Sequence, residues 1–282
     1  MIAVLGGLGA ALAWALATLA AARASRVLGP WSTTALVVSV GFVATLPLLA
    51  LETPPPAIAS GDVAWLLLAG LGYAIGMVFN YAALTGGKVP VTAPIVSTEG
   101  SIAAALAVLG GEAASPLMGA MLLLIAAGIF VVALKPGGAA DVLSGSGARY
   151  VGFAVAAAMI FGVGLYASGR ASANVPASWV VAAGRVAGVL LLTLPLVLTH
   201  RLRFSRVVLP FVLFAGLAEV VGIYLYAWGA RESIAVTAVL SSQFAVMAAL
   251  MAHRLGERIS PRQWLGVAAV TTGVVVITLT RL

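Results

Sequence analysis

The sequence predicts an all-α integral membrane protein of ten transmembrane helices, arranged as two inverted five-helix repeats around a central cavity. Three observations carry that reading: the composition, the spacing of the apolar runs and an internal duplication. Of 282 residues, 62% are hydrophobic and 8% charged, against the roughly 25% charged of an ordinary soluble domain. Such a chain cannot cover itself with a hydrated surface. A span needs about 20 apolar residues to cross ~30 Å of hydrocarbon, so ten spans use about 200 residues and leave about 80 for connections and ends. Loops that short leave no room for a separate soluble domain, and whatever the protein does falls inside the bundle or at its rim.

The apolar runs lie near residues 2–21, 31–51, 63–84, 90–109, 116–134, 150–169, 177–198, 207–229, 234–253 and 263–280. Charges or helix-stopping residues separate them: Arg23, Arg26, Gly29 and Pro30, then Glu52, Pro54, Pro55, Pro56 and Asp62, then Gly86, Gly87 and Lys88. Backbone groups in hydrocarbon must be satisfied within each segment, so runs of this length form helices, whereas a barrel needs alternating strands of about ten residues. The first run carries Ala20, Ala22 and Ala24, which resemble a cleavage site, but Arg23 and Arg26 follow the run where a signal peptide places its positive charges before it. It is expected to be an uncleaved span.

Fifteen Lys and Arg against eight Asp and Glu give a net charge of +7. No basic stripe with interleaved aromatics follows a phosphate backbone, so nucleic acid is not an expected partner. The absence of Cys removes disulfides and thiolate chemistry together. The basic residues sit in the connections. Loops one, three, five, seven and nine hold Arg23, Arg26, Lys88, Lys135, Arg149, Arg201, Arg203, Arg206, Arg254, Arg258 and Arg262, and the opposite face holds Arg170, Arg231 and Arg281. Positive residues stay cytoplasmic, so both termini are expected outside the cytoplasm of a bacterial-type inner membrane. Arg185 falls inside a span.

Residues 81–134 align without a gap on residues 226–279, with 16 of 54 positions identical. Tyr81 matches Tyr226, Val91-Thr92-Ala93 match Val236-Thr237-Ala238, Ser97 matches Ser242 and Gly128 matches Gly273. Gly111, Glu112, Ser115 and Pro116 return as Gly256, Glu257, Ser260 and Pro261, which shared hydrophobicity does not explain. Upstream, Arg23-Ala24-Ser25 return as Arg170-Ala171-Ser172, and Thr45 to Leu48 as Thr193 to Leu196. The repeats are read as residues 1–137 and 149–282, joined by a Gly-, Ala- and Ser-rich linker at 138–148. Five spans per copy is an odd number, so the second copy crosses the membrane in the opposite sense. Inverted copies can exchange conformations around a site near the midplane, which is the architecture of secondary transporters.

Ten spans in two halves, each with Gly-Glu after its fourth span, then Ser-Pro and a fifth span with a central Gly, resemble the EamA type of the drug/metabolite transporter superfamily. The stretch KVPVTAPIVSTEG at 88–100 is similar to fourth spans of EamA-domain proteins. The resemblance covers essentially the whole chain and implies export of small metabolites or drugs without fixing which. Members are usually drawn with cytoplasmic termini, the reverse of what the charge count gives here.

Ionisable residues within a span cost about 2.5–3.5 kcal/mol each on insertion scales, so they persist when paired or facing a polar cavity. Glu99, Arg185 and Glu219 are such residues. Either Arg185 bridges Glu219 as a structural lock, or the three share a cavity. Glu99 lies in the polar island Ser97, Thr98, Glu99, Gly100 and Ser101, in a run that also holds Pro90 and Pro94. Its counterpart is Phe244, preceded by Ser241, Ser242 and Gln243, so one half offers a charge where the other does not. Glu99 is therefore read as a cation acceptor or proton carrier, or else as a neutral carboxyl held by helix contacts; Glu219 is the second candidate for proton coupling. Asn80, Tyr81, Tyr226, Ser97, Thr98, Gln243 and Trp14 complete the expected substrate-binding set, with Tyr73, Phe79, Phe161, Tyr166, Tyr224 and Trp228 as further aromatic walls or interfacial anchors. Glu112 and Glu257 are expected to help cap the helices that begin at Pro116 and Pro261, with Ser115 and Ser260 as N-caps.

The function expected is a secondary carrier exporting small amphipathic metabolites, amino acids, organic cations or drugs, with protons as candidate coupling ions, lipid as surroundings, and a monomer or homodimer as the assembly. No cofactor or metal is expected. A channel-like facilitator is the alternative, and a membrane enzyme acting on a lipid-linked substrate the more distant one. The sequence lacks His-Glu-x-x-His, a Gly-x-Ser-x-Gly elbow and a phosphate loop, and has only His200 and His253. Because the chain has no Cys, Arg206→Cys and Ala173→Cys report orientation directly. In intact cells a membrane-impermeant maleimide is expected to label the Ala173 position and spare Arg206; the opposite pattern reverses the orientation.

Overall fold

In the computed structural model of the protein, residues 1–52, 56–86, 95–113, 115–133 and 146–244 are described, together with 246, 247, 261, 264–266, 268, 269, 272, 273 and 276. The helices are α1 (Ile2–Leu28), α2 (Pro30–Ala50), α3 (Ser60–Gly86), α4 (Glu99–Leu109), α5 (Pro116–Ala133), α6 (Ser146–Ser172), α7 (Ala177–Leu198), α8 (Leu209–Ala230) and α9 (Ile234–Ser241). Among the described residues there is no strand. Six helices are long and apolar enough to cross a bilayer: α1, α2, α3, α6, α7 and α8; α4 and α5 are apolar but shorter. Of the expected fourth, ninth and tenth spans, substantial parts lie outside the described residues, as do Lys88, Pro90, Pro94, Lys135, His253, Arg254, Glu257, Arg258, Ser260, Arg262 and Arg281. Helix α6 begins at Ser146, ahead of the repeat boundary expected at 149.

The helix ends follow from local chemistry. Gly29 takes φ 80°, a conformation that side chains disfavour, and lets Pro30 open α2 directly after α1 ends. Ser115 Oγ accepts from Met118 N at 3.1 Å and caps α5, as its position before Pro116 implies. Ser233 Oγ does the same for Val236 N at 3.2 Å at the start of α9. Glu112 does not cap the helix that follows it. Its carboxylate accepts from Ser233 Oγ and from the backbone N–H groups of Ile234 (3.1 Å) and Ala235 (3.3 Å), so it caps α9 in the other half. Orphan donors at a helix start attract the nearest anion irrespective of sequence order, and the fold brings α9 to Glu112.

The packing repeats with the sequence. Helix α1 packs on α8 and α3 packs on α6; α1 meets α9 as α6 meets α4; α2 meets α8 as α7 meets α3. Advancing or retreating each helix by five places converts one member of each pair into the other. Directions can be read from the contacts. Gly41 faces Arg185, Val38 faces Gly188, and Ala35 meets Thr193, so residue numbers fall along α2 as they rise along α7. These two helices occupy equivalent places in the two copies and run antiparallel. Seams between copies rest on small residues, which let backbones approach. A Cβ on Gly6 would lie 2.8 Å from the Gly229 α-carbon, and one on Gly72 equally close to that of Gly164.

The bundle therefore has two ends. At the end where α1, α3 and α9 begin, Glu112 ties the halves together, Asn174 donates to Asp62 at 3.1 Å, and Arg170 lies over the Trp65 ring at 5.2 Å. At the other end, Arg23, the repeat partner of Arg170, lies over Phe211, also at 5.2 Å. Arg26, Arg149, Arg201, Arg203 and Arg206 gather at this second end, with the finish of α1 and α7 and the start of α2, α6 and α8.

Candidate transport site

Two helix interruptions build the site. Residues 95 and 96 are helical, Ser97 and Thr98 form a turn, and α4 starts at Glu99; in the second copy α9 ends at Ser241, Ser242 and Gln243 form a turn, and Phe244 is helical again. The turns fall on matched positions of the duplication. Polar side chains explain them. Thr98 Oγ1 donates to the Ile95 carbonyl at 2.7 Å, Ser242 Oγ to Val239 at 2.7 Å, and Gln243 Nε2 to Val239 at 2.8 Å. Such bonds compete with the helical ladder and open it locally. Glycine brings the two turns together, since a Cβ on Gly100 would collide with the Ala238 carbonyl oxygen and with Ser242. Interrupted helices at mid-membrane are tolerated where they line a cavity.

A cavity does lie there, with about 540 Å³ of empty space including its mouth. Helix α1 contributes Trp14 and Thr18; α3 contributes Ala69, Tyr73, Met77 and Asn80; α6 contributes Phe161, Gly164, Leu165 and Ser168; α8 contributes Glu219 and Ile223. Val96, Glu99 and Phe244 complete the wall from the two interrupted helices. The repeat is visible in this lining. Trp14 and Phe161 are equivalent positions, as are Thr18 and Leu165, and Glu99 and Phe244. At each pair one copy is more polar than the other, so a pseudo-symmetric frame carries an asymmetric set of groups. Glu99 and Glu219 are 5% and 8% exposed, lie within electrostatic reach of each other, and make no hydrogen bond or ion pair among the described residues.

Arg185 does not bridge Glu219, one of the two arrangements the sequence left open. The two charges interact through space but lie beyond ion-pair distance. Arg185 is 1% exposed; its Nη1 donates to the Tyr73 hydroxyl and its guanidinium carbon sits 4.3 Å from the centre of the Tyr73 ring. Nε and Nη2 have no hydrogen-bond partner among the described residues. Room for the group comes from Gly41, where a Cβ would stand 3.0 Å from Nε. The side chain lines a smaller pocket that shares Ala69, Tyr73, Ser168 and Ile223 with the central cavity. One turn further, α7 loosens into a π-helical stretch at Val189–Thr193, a feature often found at functional sites.

Of the residues singled out in the sequence, Trp14, Asn80, Glu99, Phe161 and Glu219 line the cavity, Arg185 lines the adjoining pocket, and Tyr73 lines both. Tyr81, Tyr226, Ser97, Thr98 and Gln243 do not reach the wall. Tyr226 is buried behind it, donates to the Leu165 carbonyl at 2.9 Å and stacks on Trp14 with ring centres 6.2 Å apart. Tyr81 is equally buried, but its hydroxyl has no hydrogen-bond partner among the described residues. Phe79 lines a different groove, and Tyr166 packs edge-on against Trp65 near one end of the bundle. Sequence reasoning missed Thr18, Ser168 and Ile223. The offset that pairs Arg23 with Arg170 also pairs Trp14 with Phe161 and Thr18 with Leu165, a signal that identifies the inner faces of α1 and α6 together.

The two copies and the shared cavity define a membrane transporter. The family model of the EamA-like transporter family matches residues 1–134 and again 148–279, and the chain belongs to that family, within the drug/metabolite transporter superfamily. It is an integral membrane protein. A solved crystal structure superposes with a TM-score of 0.76 over 99% of this chain and 96% of the other at 24% identity, a likeness of fold alone. No curated protein matches the sequence.

Gly100→Val places a branched side chain against the Ala238 carbonyl and is expected to destabilise the protein by about 1–3 kcal/mol, the usual cost of overpacking. Thermal unfolding in detergent, with Gly119→Val as the reference because a Cβ there meets nothing within 4 Å, measures it. Equal melting of the two variants would show that the interrupted helices do not depend on this crossing.

Proposed function

We propose that the protein is a ten-span secondary carrier built from two inverted five-helix repeats, exporting small amphipathic metabolites by alternating access, with Glu99 exchanging a proton for the basic group of the solute. The observation that carries this reading is the pair of matched helix interruptions beside a cavity lined by two carboxyl groups that make no hydrogen bond or ion pair among the described residues. Interrupted helices at the interface of inverted repeats are how carriers of this architecture hold a solute near the midplane. Glu99 and Glu219 supply negative charge, Trp14, Tyr73 and Phe161 supply aromatic faces, and Asn80 and Ser168 supply hydrogen bonds. The free nitrogens of Arg185 lie one pocket away. A solute with an amine, an apolar body and an acidic group would meet all of them, which favours amino acids over plain organic cations. Buried donors without partners cost about 1–3 kcal/mol each, more for a charged group, and an anionic group on the solute would remove that cost.

The buried tyrosines support alternation. Tyr226 holds the Leu165 carbonyl, and the equivalent acceptor for Tyr81 is the Thr18 carbonyl, a bond that is not made. In a carrier whose copies exchange conformations, the second state makes the Tyr81 bond and releases the Tyr226 bond. The basic end of the bundle is assigned to the cytoplasm of a bacterial-type inner membrane, and the acting unit to a monomer or homodimer.

Glu99→Gln conserves size and is expected to leave the protein folded while abolishing the pH dependence of solute exchange in proteoliposomes. Flux that keeps its full pH dependence in this variant would remove Glu99 from proton exchange. Saturation and counterflow identify a carrier; linear flux would identify a channel.

A further inference from the structure

The flank of the bundle carries a second, open concavity with about 1040 Å³ of empty space including its mouth. It lies at the basic end, between the start of α2, the last part of α3, the start of α6 and the π-helical stretch of α7. Along α3 it runs from Thr85 to Ile75, ten residues of helix or about 15 Å, which is half the thickness of the hydrocarbon layer. Its walls are apolar and aromatic, with Phe79 and Phe153 6.0 Å apart and Trp31 and Tyr150 at the rim. Trp and Tyr at that place mark the headgroup level.

Arg149 stands at the mouth. Its guanidinium lies 5.2 Å above the Phe153 ring, it is exposed, and it forms no ion pair among the described residues. The residues that build this groove are not repeated at the duplicated position. The residue equivalent to Arg149 is Ile2, and that equivalent to Phe153 is Gly6, which closes on Gly229. Among the described residues, the groove at the basic end combines a cation, an aromatic wall and an open slot.

We propose that this groove is a site for an anionic phospholipid, with one acyl chain along Phe79 and Phe153 and the phosphate on Arg149. Basic pockets between transmembrane helices on the cytoplasmic side bind lipid headgroups in this way. The lipid lies in the bilayer leaflet at the basic end, and its site is independent of what the central cavity carries.

Trp31 reports occupancy. Its fluorescence, taken as the difference between the full chain and its Trp31→Phe variant, is measured in phosphatidylcholine bilayers doped with brominated phosphatidylglycerol or with brominated phosphatidylcholine. Brominated phosphatidylglycerol is expected to be about fivefold more effective, the worth of one basic residue beside an anionic headgroup. Arg149→Gln removes the preference, and Arg149→Lys keeps most of it. Equal quenching by the two lipids in the unaltered chain, or a preference that survives Arg149→Gln, overturns the site. Quenching by neither lipid also overturns it, showing that the chain itself fills the groove.

Discussion

Hydrocarbon offers no hydrogen-bonding partner, and the interior of this protein is organised around that constraint. Every polar group brought to mid-membrane must be answered by the chain, by water or by a passing solute. Most are answered locally. Thr98, Ser242 and Gln243 turn back on the carbonyls of their own helices, and in doing so they open the ladder and create the interruptions that place Glu99 and Phe244 on the cavity wall. Glu99, Glu219 and two nitrogens of Arg185 are not answered by described residues.

Duplication supplies the frame, and divergence supplies the specificity. Equivalent helices pack in equivalent pairs, and α2 and α7 run in opposite directions along their seam. Within that frame, Trp14 faces the cavity where Phe161 does in the other copy, Thr18 where Leu165 does, and Glu99 where Phe244 does. A strictly symmetric pair would present two like groups at each depth and hold an asymmetric solute poorly. The hydroxyls of Tyr81 and Tyr226 differ in another way: the residues are identical and their bonding is not.

Much of this was legible beforehand. Composition and apolar spacing gave the helical membrane class, and the repeat offset marked equivalent positions in the two halves. Rare charges inside apolar runs pointed to Glu99 and Glu219, because hydrocarbon makes an idle carboxylate expensive. What stayed hidden depends on which way a side chain faces. Ser97, Thr98 and Gln243 are as polar as Asn80, and nothing in one sequence separates a residue that bonds to its own helix from one that lines a wall. The sequence leaves open whether Arg185 bridges Glu219 or shares a cavity with it; Tyr73 and Gly41 provide the guanidinium with a seat that spacing alone does not reveal. Glu112 was assigned to the helix next in sequence, but the helix next in space took it.

The central claim is that the inverted copies rock against each other about the site they share. Its most direct test is a pair of distances measured by spin labels in the Cys-free chain. One pair, Gly61→Cys with Ala173→Cys, spans the two copies at the end where α3 begins; the other, Arg26→Cys with Arg206→Cys, spans them at the basic end. The account predicts that a transported solute or a pH step lengthens one distance while shortening the other. Two distances that rise and fall together, or that both stay fixed during transport, would contradict it.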